Sequence, residues 1–155
     1  MPDVTLRAMI EAEFGEWKPR AIQRYGEQQV QAGNVSADKA QEWAAGEYAK
    51  LLPQGLHSRG HHLLIAEQES QRIGMLWLFI HAGDRPAFVY YVEVDPAIRG
   101  QGLGRAVMTA GEQYVTEHGA TSIGLHVFGH NLVARRLYDQ MGYQVSSSNM
   151  IKSLT

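Results

Sequence analysis

Three glycines alternate in Arg99-Gly100-Gln101-Gly102-Leu103-Gly104-Arg105, at the junction between an aromatic-rich run, AFVYYVEVD (87–95), and an amphipathic one. Glycines let a backbone approach a ligand closely. The opening turn of a helix adds free N–H groups that point outward together, and the helix dipole adds partial positive charge. Arg99 and Arg105 flank this nest and can pair with phosphate oxygens. A pyrophosphate is the natural guest. A dinucleotide loop of the form G-x-G-x-x-G requires glycine at 105 or 107, where Arg105 and Val107 stand, and a Walker A loop requires a Gly-Lys pair that the chain lacks.

The remaining match is to another family. Arg99-Gly100-Gln101-Gly102-Leu103-Gly104 resembles the R/Q-x-x-G-x-G/A acetyl-CoA loop of the GNAT N-acetyltransferases. Val92-Glu93-Val94-Asp95-Pro96 resembles the end of that family's fourth strand. Asn131, Ala134, Leu137-Tyr138 and Gly142-Tyr143 match its N-x-x-A-x-x-L-Y-x-x-x-G-F/Y block in register. The resemblance covers residues 87–145. It implies that the pyrophosphate of acetyl-CoA, the co-substrate, sits on the amides of Gln101 to Arg105. The pantetheine arm should pair with the backbone of Val92 and Val94, in an opening between the fourth and fifth strands. It also implies that Asn131 faces that arm and Tyr138 faces the sulfur. Asn131, Arg135 and Tyr138 fall at i, i+4, i+7, on one helical face.

The chemistry implied is direct acetyl transfer from acetyl-CoA to a primary amine of a small molecule or of a protein. Tyr138 is the candidate acid for the leaving sulfur, and a strand N–H near Val94 the candidate oxyanion donor. Three candidates remain for the base. Glu93 is the nearby strand carboxylate, although it could equally pair with an arginine. His126 ends the next strand, and an imidazole titrates near neutrality. A water chain needs neither. A non-catalytic acyl-CoA sensor or partner module is the competing class, and an intact glycine loop with Tyr138 favours the enzyme. Dimerisation is common in the family. Glu11, Glu13, Glu16, Glu27, Asp38, Glu42 and Glu47 could attract a cationic acceptor, though solvated helix faces look the same.

The elements that must position these groups follow from periodicity. Val4 to Arg7 reads as a short opening strand. Apolar residues at Met9, Phe14, Trp17, Ile22, Tyr25 and Val30 then mark a helical face, in which Pro19 must kink one helix or start a second. Ser36 offers a plain N-cap for the next helix, which carries Trp43, Ala44, Glu47, Tyr48 and Leu51 on one face and ends at Pro53. HHLLIAEQ (61–68), RIGMLWLFI (72–80) and AFVYYVEVD (87–95) are three strands separated by turn compositions, hence antiparallel. Gly102 to His118 is a helix, TSIGLHVF (121–128) a strand and Asn131 to Met141 a helix, and YQVSSS and NMIKSL read as a closing pair of strands. A strand joined to the next through a helix is a crossover, so the sheet is mixed. The expected class is α/β (α+β by some schemes). The resemblance implies a GNAT fold: a twisted, mostly antiparallel sheet with splayed fourth and fifth strands, flanked by about four helices.

Composition narrows the classes. The chain has 155 residues, which suits one domain over 1–155, and 45% apolar against 19% charged residues suits an ordinary globular protein. Having no cysteine excludes disulfides, thiolate zinc sites and cysteine nucleophiles. A net charge of -2 offers no basic field for a nucleic acid. No run approaches the ~18 apolar residues of a membrane span. MPDVTLRAMIEAEF lacks the apolar core of a secretory signal, so a cytoplasmic protein is expected. His57, His61 and His62 have metal-like spacing but no nearby carboxylate pair, and His126 and His130 rate no higher, so no metal is expected. Trp17, Trp43 and Trp77 read as core, although Trp43 sits in the region that in the resembling family shapes the acceptor pocket.

Overall fold

The computed structural model describes residues 3–155. Its elements run β1 (Thr5–Ala8), α1 (Glu11–Gln31), α2 (Ala40–Leu51), β2 (His61–Gln68), β3 (Gln71–Phe79), β4 (Ala87–Val94), α3 (Leu103–Glu117), β5 (Ile123–Leu125) and α4 (Leu132–Gln140). The strands form one sheet in the order β1-β2-β3-β4-β5. The first three pairings are antiparallel and β4–β5 is parallel, as the α3 crossover demands.

Alternation along the strands builds two cores. One face carries Ile65, Met75 and Trp77 against Trp17 of α1 and Tyr48 of α2. The other carries Leu64, Leu76 and Leu78 against Val107 and Met108 of α3. Gly111 lets α3 lie close to β3, because a Cβ there would come within 2.6 Å of Leu76 Cδ2.

α1 is one helix through Pro19. The N–H that proline lacks is the donor to Gly15, in the preceding turn. Glu13 fixes its start by accepting from the Ile10 N–H at 3.0 Å and from Arg7 at 2.8 Å. α2 begins at Ala40, four residues after the expected Ser36 cap. Residues 37–39 form a turn instead, in which the Lys39 N–H donates to Ser36 O at 3.1 Å. The docking of α1 on α2 explains the late start: Ala40 is buried, and a Cβ on Gly26 would lie 3.2 Å from Ala40 O.

Two expectations at the C-terminal end fail. The run 121–128 pairs over only Ile123–Leu125, because β4 leaves its side after Val89. YQVSSS and NMIKSL form no strands, and Val145, Met150 and Leu154 are exposed. Ser146, Ser147 and Ser148, which end the first run, lack the β-branched or aromatic side chains that strands favour.

Candidate active site

β4 is the strand on which the site is built. Leu78 pairs with Val89 and Trp77 with Tyr91, so Tyr90 is an extra, bulged residue. A bulge bends its strand and re-aims its side chains. On the β5 side the pairing runs Ala87–Ile123, Phe88–Gly124, Val89–Leu125 and then stops. The Asp95 N–H donates to Ile73 O of β3 at 2.8 Å. Alternation therefore turns the N–H and C=O of Val92 and Val94 away from β3, toward the gap beside β5. Arg99 occupies the Val94 carbonyl, its Nε donating at 3.0 Å.

The glycine loop closes one end of this gap. Pro96–Ile98 make a single 3-10 turn, Gly100 and Gly102 have φ of 84° and 76°, and α3 starts at Leu103. Ala106 is the first donor to the α3 ladder, bonding Gly102 O at 3.2 Å. The amides of Leu103, Gly104 and Arg105 thus precede the ladder and are free for an anion. Arg105 reaches across to Gln140 Oε1 of α4 at 2.9 Å, which ties the two helix ends together.

The gap opens into a cavity of about 280 Å³ that continues to the α1–α2 side. Asn131, Ala134 and Tyr138 line it from α4, Leu125 and His126 from the end of β5, and Val92 from β4. Asn131 is the N-cap of α4, its Oδ1 accepting from the Ala134 N–H at 3.2 Å. Arg135, expected on one face with Asn131 and Tyr138, does not line the cavity and instead has its guanidinium 3.5 Å from Gly129 O.

Burial pushes the Tyr138 hydroxyl above the ordinary phenol range, and Arg24 partly offsets the shift. Its ring lies 5.7 Å from that of Tyr143, whose hydroxyl donates to Glu112 at 2.6 Å. His126 is exposed, with its ring 4.9 Å edge-on from Phe128. Glu93 is not in the cavity wall. It lies on the α1 side of β4, in an ion pair with Arg20, with the Tyr91 hydroxyl 3.4 Å from Oε2.

The chain before the glycine loop supplies residues that the sequence assigns to no site. Arg24, Tyr25 and Gln28 of α1, Tyr48 of α2, Trp77 of β3 and Tyr90 of β4 complete the cavity wall. Trp77 stacks on Tyr90 at 4.8 Å, and its Nε1 donates to His61 Nδ1 at 2.9 Å. Burial, with the neighbouring His62, lowers the His61 pKa. His62 faces the opposite way, toward the Tyr114 hydroxyl of α3 at 2.7 Å, so the two imidazoles cannot share an ion. Trp43 is partly exposed and stacks on Tyr25 at 5.5 Å, outside the core that holds Trp17 and Trp77.

Residues 22–143 match the Acetyltransferase (GNAT) family. The chain belongs to that family. The uncharacterized N-acetyltransferase YdgE of Bacillus subtilis is 32% identical over 97% of this chain and 98% of its own. YycN of the same organism, another uncharacterized N-acetyltransferase, is 33% identical over 97% and 99%. The crystal structure of YycN superposes with a TM-score of 0.94, covering 98% of this chain and 99% of that one. The fold is therefore the GNAT fold and the protein is an acyltransferase of the N-acetyltransferase class, in a family that uses acetyl-CoA. Among the described residues no helix is long and apolar enough to cross a membrane, and no group of three or more His, Asp and Glu is placed to hold a metal.

Proposed function

We propose that the chain is one N-acetyltransferase domain that moves an acetyl group from acetyl-CoA to a primary amine, with both bound together. The observation that carries this is the gap beyond the Val89–Leu125 pair, with free amides at one end, Tyr138 in its wall and an aromatic cavity beyond it. The residues present suit acetyl-CoA. The amides of Leu103 to Arg105 would hold the pyrophosphate, with those of Gln101 and Gly102 beside them, and Arg99 and Arg105 at the mouth. The outward edge of Val92 and Val94 would hold the pantetheine amides, with the Asn131 amide group facing it. When bound, the co-substrate supplies a thioester carbonyl open to an amine.

The chain's own groups do the rest. An N–H near Val94 on that edge, the one at Val92 in the cavity wall, is the donor for the carbonyl oxygen. Tyr138 holds its proton at Oη, because burial disfavours the phenolate, and gives it to the departing sulfur. His126, at the solvent mouth of the cavity, takes the proton of the amine. Glu93 is committed to Arg20 and fixes α1 against β4. The cavity beyond Tyr138 gives an acceptor its own space, which a purely acyl-CoA-sensing module would not need. The test is release of CoA thiol from acetyl-CoA with a panel of primary amines, with the acetylated amine identified by mass. Tight acetyl-CoA binding without amine-dependent thiol release would overturn the enzymatic reading.

A further inference from the structure

The cavity wall on the α1–α2 side has a charge of one sign. Arg24 is the permanently charged side chain that lines it, and no carboxylate does. Of the acidic residues of the first half, Glu13 pairs with Arg7, Glu16 with Arg72, Glu47 with Lys50 and Glu11 lies near His57. None of these, nor Glu27, Asp38 or Glu42, lines the cavity.

Arg20 and Arg24 stand one turn apart on α1, and their situations differ. Arg20 is neutralised by Glu93. Arg24 has no carboxylate partner among the described residues. Its Nη1 donates to the Tyr91 hydroxyl at 3.3 Å, and its guanidinium lies 5.4 Å from the centre of that ring. A guanidinium has five N–H donors in a planar fork suited to a carboxylate, so most of this fork is unused. Gln28, one turn further on, adds an amide to the same wall. The rest of the wall is aromatic: Tyr25 and Tyr48 with ring centres 5.9 Å apart, and the stacked pair Trp77 and Tyr90.

An arginine beside an aromatic cleft repels a second cation and attracts an anion. It also favours the neutral, nucleophilic form of a nearby amine over its ammonium form. We infer that the acceptor is a small amine that also bears a carboxylate, an amino acid with an apolar or aromatic side chain, its carboxylate on Arg24 and its side chain against Tyr25, Trp77 and Tyr90. This rests on the amine acetylation proposed above. The amine is the nucleophile: its nitrogen bonds to the acetyl carbon, the carbon–sulfur bond breaks, and CoA leaves as the thiol.

The test compares free amino acids with their α-carboxamides, which keep shape and lose charge, and with the polycation spermidine, all by thiol release at fixed acetyl-CoA. The native protein is expected to prefer the acid in at least one pair. Arg24→Gln should reduce that acid-to-amide ratio of kcat/KM by about 10–100-fold, the scale of a lost charge-assisted bond. Arg24→Lys should recover part of it. Calorimetric affinity for acetyl-CoA should be the same in native and Arg24→Gln proteins. Acetylation that favours amides or spermidine overturns this inference and leaves N-acetylation standing. So does an acid-to-amide ratio that Arg24→Gln leaves unchanged, or a loss of acetyl-CoA affinity that accounts for the whole effect. Failure to acetylate any amine overturns the activity and, with it, the inference.

Discussion

Val89 pairs with Leu125 in parallel register, and no residue pair beyond it joins β4 to β5. The next residue, Tyr90, is the bulge that turns β4 away. An unpaired backbone edge inside a protein normally costs free energy, and here it is left beside a loop of free amides. The two features make sense together as a slot for a ligand that has both amides and a pyrophosphate.

The loop prediction is best tested at Gly104. Gly102 has φ of 76°, so any side chain there strains the backbone as well as crowding the loop. Gly104 has an ordinary helical backbone, and a Cβ would meet only Leu137 Cδ2 at 3.6 Å, a normal contact. Gly104→Val should therefore fold and lose acetyl-CoA affinity severely. Calorimetric titration of the folded variant checks this. Unchanged affinity would remove the pyrophosphate from this loop.

Gly74 carries a different constraint, one of fold. A Cβ on it would lie 2.0 Å from Glu93 O, and strand backbone cannot yield that much. Gly74→Ala should cost at least ~2 kcal/mol, on the scale of overpacked cores. For a chain of this size that is a fall of about 4–8 °C in Tm. Gly15, inside α1, has nothing within 4 Å of such a Cβ, so Gly15→Ala is the control and should raise Tm slightly. Equal behaviour of the two in thermal melts would refute the close approach of β3 and β4.

The strands β2, β3 and β4 were legible because β-branched and aromatic runs lay between good turns, and α3 because its apolar spacing is regular. The glycine loop and the Asn131–Tyr143 block were legible because left-handed backbone at Gly100, Gly102 and Gly142 and the N-cap at Asn131 favour particular residues at fixed positions. The bulge was not read, though Tyr90-Tyr91 between Val89 and Val92 breaks the alternation that a regular strand would keep. Arg24 and Gln28 were invisible as cavity residues, because nothing in α1 says which strand its polar side will overhang. Ser36 failed as a cap because tertiary docking at Ala40 decided where α2 begins. Asn131, Ala134 and Tyr138 share the cavity wall and Arg135 does not, because at about 100° per residue Ala134 and Tyr138 fall to one side of Asn131 and Arg135 to the other.

Acid should loosen the start of α1. Hydrogen bonds from Arg7 hold the Glu13 carboxyl at about 2, below its ordinary 4.5. A carboxyl lowered in the folded state stabilises fully above the unfolded value, and that contribution is lost as pH falls from 4.5 toward 2. Glu13→Gln should be less stable than the native protein at pH 6, with the difference shrinking through this window. Urea denaturation at pH 6, 4 and 3 measures it. A difference that stays constant with pH would mean that Glu13 acts through packing and the Ile10 cap alone.

Tyr138 carries the sharpest mechanistic consequence. Its half-buried hydroxyl keeps its proton, and Tyr138→Phe removes that proton while preserving the packing beside Tyr143. Acetyl-CoA affinity should persist, since the loop amides and the Val92–Val94 edge remain. Turnover should fall by ~10²–10⁴-fold, the range for a positioned proton donor. The fall should be smaller with acyl donors whose leaving thiol is more acidic, because such a sulfur departs without needing the proton. Comparing the two donor types in native and Tyr138→Phe proteins decides it. Native-rate turnover would assign the protonation to water. Loss of acetyl-CoA binding would make the tyrosine a wall of the slot. An equal fall for both donors would place its role in positioning, since only proton donation depends on how basic the leaving sulfur is.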